Sequence, residues 1–163
     1  MALIASNTSP LHYLARIGEL HVLPVLYGRV IIPQKVFDEL QQPSTPTAVK
    51  TIATSLPSWL EVRAITTPID ASLSHLDQGE QEAITLALEI QADTLLIDET
   101  KGRDAAELCG LGIIGTLGVL YSAADTGLCD LKKAFDNLKQ TNFRATDALY
   151  QYFTDLYEKN HTS

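Results

Sequence analysis

The chain has 163 residues, 45% of them hydrophobic, which is the size and composition of one domain with a substantial core. Its two cysteines lie 20 residues apart with no histidines grouped around them, which argues against a disulfide framework and a zinc site. A net charge of −8 argues against general attraction to nucleic acid or anionic lipid, so a polyanionic substrate needs local basic side chains or a bound cation.

Two segments bear on where the protein works. Residues 1–7 lack the basic start and long apolar run of a signal peptide and are better interpreted as a first strand. The uncharged run from Leu108 to Ala124 contains four glycines and is shorter than the roughly 20 apolar residues that span a bilayer. We therefore expect a single domain over residues 1–163, located in the reducing cytoplasm and without membrane contact.

Strand and helix signals alternate along the chain. The predicted strands cover residues 2–6, 30–32, 94–97 and 112–115, with an edge strand or extended connection over 59–65. The first predicted helix has Ser9 as its N-cap, begins at Pro10 and ends near Gly18, and a short second helix runs through Tyr27. A third helix begins at Pro33, a loop covers 41–47, and a fourth helix runs through Leu56. Further helices cover 79–92, 101–109 and much of the chain from Leu117 onward. This alternation predicts an α/β fold, a three-layer α/β/α sandwich with a central, mostly parallel sheet.

Polar side chains directly follow two of the predicted strands. Asn7 follows the first strand, and Asp98 and Glu99 follow the strand over 94–97. Ligands of open α/β sheets bind at the carboxyl ends of the strands, so these residues are candidates for a site. The alternatives are that Asn7 is a turn residue and that Asp98, or Thr100 in its place, caps the next helix.

Two glutamates are placed by helical periodicity. Glu39 lies at the border of an apolar arc while Asp38 points away, although a glutamate in that position is often only solvated. Glu80 shares the apolar face of its helix, and a buried carboxylate needs a partner. Asp77 has the spacing of a capping box with Glu80, which is an alternative explanation but also compatible with an inward-facing carboxylate.

Basic and hydroxyl side chains lie next to these acids. Lys101 and Arg103 begin a helix where cations and backbone N–H groups would bind phosphate, unless they are merely an exposed charge pair. Gly102 between them costs helix stability, about 1 kcal/mol relative to alanine, which favours a close backbone approach. Thr116 would add a hydroxyl to the same edge, or else cap a helix.

The pattern favours metal chemistry over nucleophilic catalysis. The four histidines are scattered and indicate no Ser-His-Asp or Cys-His arrangement. Mg²⁺ and Mn²⁺ prefer oxygen ligands, which four separate elements would supply here. A phosphatase is a weaker hypothesis, since neither an Asp-x-Asp-x-Thr motif nor a Gly-rich phosphate loop is present.

With these residues in place, most of the chain resembles PIN domains, in particular small prokaryotic PIN-like proteins related to VapC-type toxins. The resemblance rests on the segments Ser6-Asn7-Thr8-Ser9-Pro10-Leu11, Val36-Phe37-Asp38-Glu39-Leu40, Leu76-Asp77-Gln78-Gly79-Glu80-Gln81-Glu82-Ala83-Ile84, Leu95-Leu96-Ile97-Asp98-Glu99 and Ile114-Gly115-Thr116-Leu117-Gly118.

The resemblance implies a ribonuclease that uses Mg²⁺ or Mn²⁺ to hydrolyse RNA phosphodiester bonds, as the toxin of a toxin–antitoxin pair. It places the metal at Asn7, Glu39, Glu80 and Asp98, with Glu99 as a possible helper, and gives the catalytic roles to Glu39, Glu80 and Asp98. The candidates for substrate binding are Thr8, Lys101, Arg103 and Thr116.

One residue departs from the family pattern. PIN nucleases usually carry aspartate where this chain has Asn7, although asparagine is also familiar in this branch. The alternative is therefore a catalytically weak or silent PIN-like module with a binding or regulatory role. The resemblance also implies a homodimer and a cognate antitoxin, and the apolar face predicted over 143–159 would form either core or an interface.

Overall fold

Five short parallel strands form the centre of the molecule. The computed structural model describes residues 3–161, so the predicted strand start at Ala2 and the predicted domain limits at 1 and 163 lie outside the described range. The strands are β1 (Ile4–Ser6), β2 (Val30–Ile32), β3 (Leu60–Val62), β4 (Thr94–Leu96) and β5 (Gly112–Ile114), in the order β3-β2-β1-β4-β5. All four neighbouring pairs are parallel, which confirms the predicted fold class.

Helices connect the strands and complete the chain. They are α1 (Thr8–Arg16), α2 (Val22–Tyr27), α3 (Gln34–Leu40), α4 (Thr47–Thr54), α5 (Gln78–Glu89), α6 (Thr100–Leu108), α7 (Thr116–Asp125), α8 (Leu131–Lys139) and α9 (Asp147–His161), with a 3₁₀ turn over Ala71–Leu73. Within residues 3–161, no helix is both long enough and apolar enough to span a bilayer.

The strands bury apolar side chains on both faces of the sheet. Along β4, Leu95 packs with Ala83 and Ile84 of α5, whereas Leu96 belongs to a larger cluster with α1 and α7. Successive side chains of a strand point to opposite faces, so these two clusters are the two layers of helices that cover the sheet. The predicted sandwich is thereby confirmed.

Several predicted boundaries were wrong by a few residues. Helix α1 begins at Thr8 with Asn7 at the N-cap position, so Ser9 lies inside the first turn. Pro10 is tolerated there because it has no N–H, and N–H groups of the first turn have no intrahelical acceptor. Helix α5 ends at Glu89 rather than residue 92, since Gln91 adopts a φ of 53° that interrupts the helix. Helix α4 ends at Thr54 rather than Leu56.

The order of the strands creates a switch point beside β1. The chain passes from β1 to β2 and β3 on one side, and then returns to place β4 and β5 on the other. A crevice forms at the carboxyl ends of the strands where the order reverses, and this is the usual ligand position in open α/β sheets. Asn7 follows β1 and Asp98 follows β4 by two residues, so the two candidate ligands flank the switch point.

Candidate functional site

The first turn of α1 links the two sides of the switch point. The Thr8 hydroxyl donates a hydrogen bond to Glu39 Oε1 at 2.7 Å, and the Ser9 hydroxyl donates to Asp98 Oδ2 at 2.7 Å. Asn7 directly precedes them and is 6% exposed, with its backbone N–H bonded to the carbonyl of Leu96 at 2.9 Å. Three consecutive residues thus contact β4, Glu39 of α3 and Asp98 in the connection after β4.

Asp98 is held by three hydrogen bonds. Besides the bond from Ser9, the backbone N–H of Thr116 donates to Oδ1 at 2.7 Å and the Thr116 hydroxyl donates to Oδ2 at 2.8 Å. The helix after β4 has Glu99 at its N-cap position and Thr100 as its first residue, so the alternative that Asp98 or Thr100 caps this helix was wrong. Asp98 instead accepts the free N–H at the start of α7.

Glu80 is a buried carboxylate with one oxygen in a cap, and no residue from 3 to 161 donates to the other. The capping box with Asp77 forms, since Glu80 N–H donates to Asp77 Oδ1 at 2.8 Å and Asp77 N–H donates to Glu80 Oε1 at 3.3 Å. Both interpretations of Glu80 are therefore correct, because the side chain is only 5% exposed and also faces inward. Burial, with the charge of Asp77 as a further cause, raises the pKa of Glu80 to about 7.

A glycine explains how Glu80 reaches the edge of the sheet. A Cβ on Gly102 would lie 2.7 Å from Glu80 Oε2 and 2.7 Å from the Cδ1 atom of Ile97. Any larger residue would therefore displace the carboxylate. This is the close approach that the glycine in the first turn of α6 predicted, although the approaching group is a side chain of α5.

Glu39 and Asn7 meet at a second glycine. A Cβ on Gly79 would collide with Glu39 Oε1 and would lie 3.4 Å from Asn7 Oδ1, so both oxygens converge above the first turn of α5. Burial raises the pKa of Glu39, and the hydrogen bond from Thr8 partly opposes that effect. Asp38 is exposed, which confirms that its side chain points away from the apolar face, and it accepts a hydrogen bond from Gln34.

The predicted basic and accessory residues lie around Asp98. Arg103 is half-buried and donates from Nη1 to the carbonyl of Ile97 at 3.2 Å, and a Cβ on Gly115 would lie within 2.9 Å of both Arg103 Nη1 and Asp98 Oδ1. Lys101 and Glu99 are exposed at the start of α6. The charge of Glu99 is a minor cause of the raised Glu80 pKa, behind burial and Asp77.

The fold thus brings the predicted residues to one edge but in separate groups. Asn7, Thr8 and Glu39 form one group, Glu80 lies against α6, and Asp98 with Thr116 forms another. Within the described part of the chain, no three His, Cys, Asp or Glu side chains lie close enough together to hold a metal ion. Sequence reasoning missed Ser9 and Gly79 as parts of this arrangement. A hydroxyl near a helix start fits a local cap equally well, and Gly79 was interpreted only as the start of its helix.

The all-parallel sheet carries Asn7 and Asp98 beside its switch point, where open α/β sheets bind their ligands. The family model described as "DUF3368: PIN domain" matches residues 3–159, so the chain belongs to the PIN-domain family, whose members are generally nucleases. No curated protein and no solved structure gave a significant match.

Proposed function

We propose that this PIN domain is a ribonuclease that uses Mg²⁺ or Mn²⁺ at the carboxyl edge of its sheet. The observation that carries the proposal is a pair of buried oxygen atoms, Asn7 Oδ1 and Glu80 Oε2, for which no hydrogen-bond donor is present among residues 3–161. A buried acceptor without a donor costs about 1–3 kcal/mol, and more if it is charged. A bound cation would supply the missing partner for such an oxygen atom.

The donor set fits a hard divalent cation. Amide and carboxylate oxygens are the ligand types that Mg²⁺ and Mn²⁺ prefer, and the residues that would hold the ion are Asn7, Glu39, Glu80 and Asp98, with Glu99 nearby. When bound, such an ion polarises a phosphoryl oxygen and lowers the pKa of a water molecule. Mg²⁺ usually keeps several waters and takes only one or two protein carboxylates, so it does not need a closed cage of acids.

The side chains around the acids position them and meet the substrate. Ser9 and Thr116 fix the orientation of Asp98, and Thr8 fixes that of Glu39. Burial raises the pKa of Glu80 to about 7, and a bound cation would favour the ionised carboxylate. Lys101 and Arg103 would neutralise the phosphates of RNA next to a chain whose net charge is −8.

A second candidate is a PIN-like module with weak or no catalytic activity that binds RNA or a protein partner. Asn7 favours it, because an amide in place of the usual aspartate removes one negative charge from the site. The separation of the remaining acids acts in the same direction. Such a module has no need of a cation, so metal binding distinguishes the two candidates.

The test is a calorimetric Mn²⁺ titration with RNA digestion in parallel, using the parent chain, Asp98→Ala and Asn7→Asp. Glu107→Ala, which removes an exposed carboxylate near the end of α6, is the matched control. We expect metal-dependent cleavage by the parent and the control, loss of cleavage in Asp98→Ala, and Mn²⁺ affinity raised by about tenfold in Asn7→Asp through the added ligand charge.

Two results would contradict the nuclease proposal. Cleavage by Asp98→Ala at the rate of the parent would assign the activity to another site or to a contaminant. A parent that binds no Mn²⁺, together with an Asn7→Asp variant that does, would support the silent module.

The proposal includes the partners that the resemblance implies, a homodimer and an antitoxin that masks the acidic edge in the cytoplasm. Helix α9 supports this part, since Leu149 and Tyr152 are 44% and 59% exposed while Tyr150 is buried. Light scattering of the purified chain tests the dimer, and a monomer at all concentrations would remove it from the proposal.

A further inference from the structure

A groove with a volume of about 880 Å³ runs between α8 and α9, on the side of α9 away from the candidate site. Thr154 and Glu158 line this α8–α9 groove, whereas Leu149 and Phe153 line a cavity beside Asp98. Residues three, four or seven positions apart share one face of a helix, so these two pairs lie on opposite faces of α9. The groove is therefore a separate surface from the acidic edge of the sheet.

The shape of the α8–α9 groove suits a helix. Its lining extends from Asp130, the N-cap of α8, to Lys139, the last residue of that helix. At a rise of 1.5 Å per residue this is a length of about 14 Å, so the volume gives a mean cross-section of about 60 Å². A helix about 10 Å wide has a cross-section of about 80 Å², so it would lie in the groove with one side exposed.

Apolar side chains form the floor of the groove. Leu131 and Phe135 are 4% and 3% exposed, and Tyr157 lies half-buried beside them. An amphipathic helix binds a groove by placing its apolar face on such a floor, with anchors at helical spacing. The floor thus provides the apolar part of a helix-binding site.

Contacts at both ends of α9 fix the walls of the groove. Near its start, the rings of Tyr150 and Phe135 pack edge to face with centroids 5.1 Å apart. Near its end, the side-chain amide of Asn160 donates to the Tyr121 hydroxyl of α7 at 2.7 Å. A groove that is already formed avoids the cost of ordering its walls when a partner binds.

The α8 wall carries charges in a regular order. Lys132, Asp136 and Lys139 line the groove at helical spacings of four and three residues, and all three are exposed. Within residues 3–161, none of the ion pairs involves any of them, although this spacing would allow pairs within the helix. The order positive, negative, positive is complemented by a helix with an acid, a base and an acid at the same spacing.

We propose that the α8–α9 groove binds an amphipathic helix of another protein. This helix carries two acidic residues seven positions apart, for Lys132 and Lys139, with a basic residue between them for Asp136 and an aliphatic stripe for the floor. The inference does not depend on the nuclease function. A partner in this groove leaves Asp98 uncovered, so it would attach the domain to another protein without blocking the acidic edge.

The test is fluorescence anisotropy with a labelled, alanine-based helical peptide as the probe. The probe has two glutamates seven positions apart, an arginine between them and a stripe of leucines, and a control peptide exchanges the glutamates and the arginine. The parent chain should bind the probe about three- to tenfold more tightly than the control peptide. The net charge of −8 favours the more basic control, so the opposite preference requires the local lysines.

Charge reversal in α8 locates the binding site. Lys132→Glu should invert the preference and bind the control peptide more tightly than the probe. Lys133→Glu, the same change at an exposed neighbour that does not line the groove, should bind both peptides as the parent does. Acidic residues are favourable in the first turn of a helix, so both variants should fold. Lys101→Glu, at the start of α6, should also leave probe binding unchanged.

Four results would overturn the inference. Equal effects of Lys132→Glu and Lys133→Glu would show that the order of charges on the wall is irrelevant. Weaker probe binding by Lys101→Glu would place the peptide at the acidic edge. No binding of the probe at about 1 mM would leave the groove without a helical ligand. Light scattering that found a dimer of the parent, abolished by Lys132→Glu, would identify the occupant as a second copy of the chain.

Discussion

Asp98 and Glu80 are both carboxylates at the same edge of the sheet, but the fold treats their oxygen atoms in opposite ways. Both oxygens of Asp98 accept hydrogen bonds, three in all, from Ser9 and Thr116. One oxygen of Glu80 accepts a weak capping bond at 3.3 Å, while the other is buried and has no donor in the part of the chain that the structure describes. The region around Asp98 is thus pre-organised by protein groups, whereas the region around Glu80 and Asn7 is left incomplete.

The difference shows which part of the site a cation would complete. Three hydrogen bonds hold the Asp98 carboxylate in one orientation whether or not a cation is bound. A buried acceptor without a donor is unfavourable, and natural proteins retain one where a function requires it. The environment of the Glu80 and Asn7 oxygens should therefore change more on metal binding than that of the Asp98 oxygens.

The largest effect is expected from Asp98→Ala. This change leaves the N–H and hydroxyl of the buried Thr116 without an acceptor, so the free energy of unfolding should fall by about 2–3 kcal/mol and cleavage by at least about 100-fold. Urea unfolding and a cleavage assay measure the two effects. Ser9→Ala, which removes one of three donors, should lose about 1 kcal/mol. Equal losses of unfolding free energy in Asp98→Ala and Ser9→Ala would show that the two bonds from Thr116 to Asp98 contribute nothing to stability.

Glu80→Gln should change the pH dependence of stability. Folding raises the pKa of Glu80 to about 7, so the folded chain holds the proton more tightly than the unfolded chain does. The stability contribution of the protonated group is complete below about pH 4 and is lost as the pH rises through 7. The variant should therefore match the parent at low pH and exceed it by about 1–3 kcal/mol at pH 8 in urea melts without metal.

Glu89→Gln, at the other end of α5, is a control of opposite sign. Hydrogen bonding from Thr67 lowers the pKa of Glu89, so its replacement should lose stability at neutral pH and approach the parent in acid. A Glu80→Gln variant that also lost stability at neutral pH would contradict the inference that burial destabilises the ionised Glu80 carboxylate.

Gly102→Ala should separate stability from metal affinity. Alanine favours a helix by about 1 kcal/mol, but its Cβ would push Glu80 Oε2 aside, so the net change in stability should stay within about 1 kcal/mol. Mn²⁺ affinity should fall about tenfold, because a ligand displaced by a few tenths of an ångström loses its geometry. Asp104→Ala, an exposed change in the same helix, should leave affinity unchanged, and calorimetry that found the two alike would remove Glu80 from the site.

The smallest effect is expected from Thr8→Val. Loss of the hydroxyl that donates to Glu39 Oε1 should cost about 0.5–1.5 kcal/mol. It should also raise the pKa of Glu39 further, because that hydrogen bond is what opposes the effect of burial, and so shift metal binding to higher pH. Thr51→Val removes an exposed hydroxyl bond within α4 and serves as the control in Mn²⁺ titrations at several pH values. Identical pH profiles for both variants would contradict a metal-ligand role for Glu39.

The predictability of the site differs from residue to residue. Glu80 was predictable as an inward-facing carboxylate, because its neighbours at helical spacing are apolar and local periodicity decides which way a side chain points. The partner of Asp98 was not, since Thr116 lies 18 residues further along the chain and only the pairing of β4 with β5 brings it near. Ser9 was predicted as a helix cap, because a hydroxyl near a helix start fits that local role and its distant partner, Asp98, cannot be inferred from neighbouring residues.

The sequence by itself determined the alternation of strands and helices, and with it the parallel sheet and the edge at which Asn7 and Asp98 lie. These properties follow from hydrophobic periodicity and turn residues, which act over a few neighbouring positions. Only the tertiary structure decided that the start of α1 reaches both Glu39 and Asp98, that Gly79 and Gly102 admit two carboxylates, and that α8 and α9 leave a groove between them. Such contacts depend on distances between elements that are remote in the chain, and no local pattern encodes those distances.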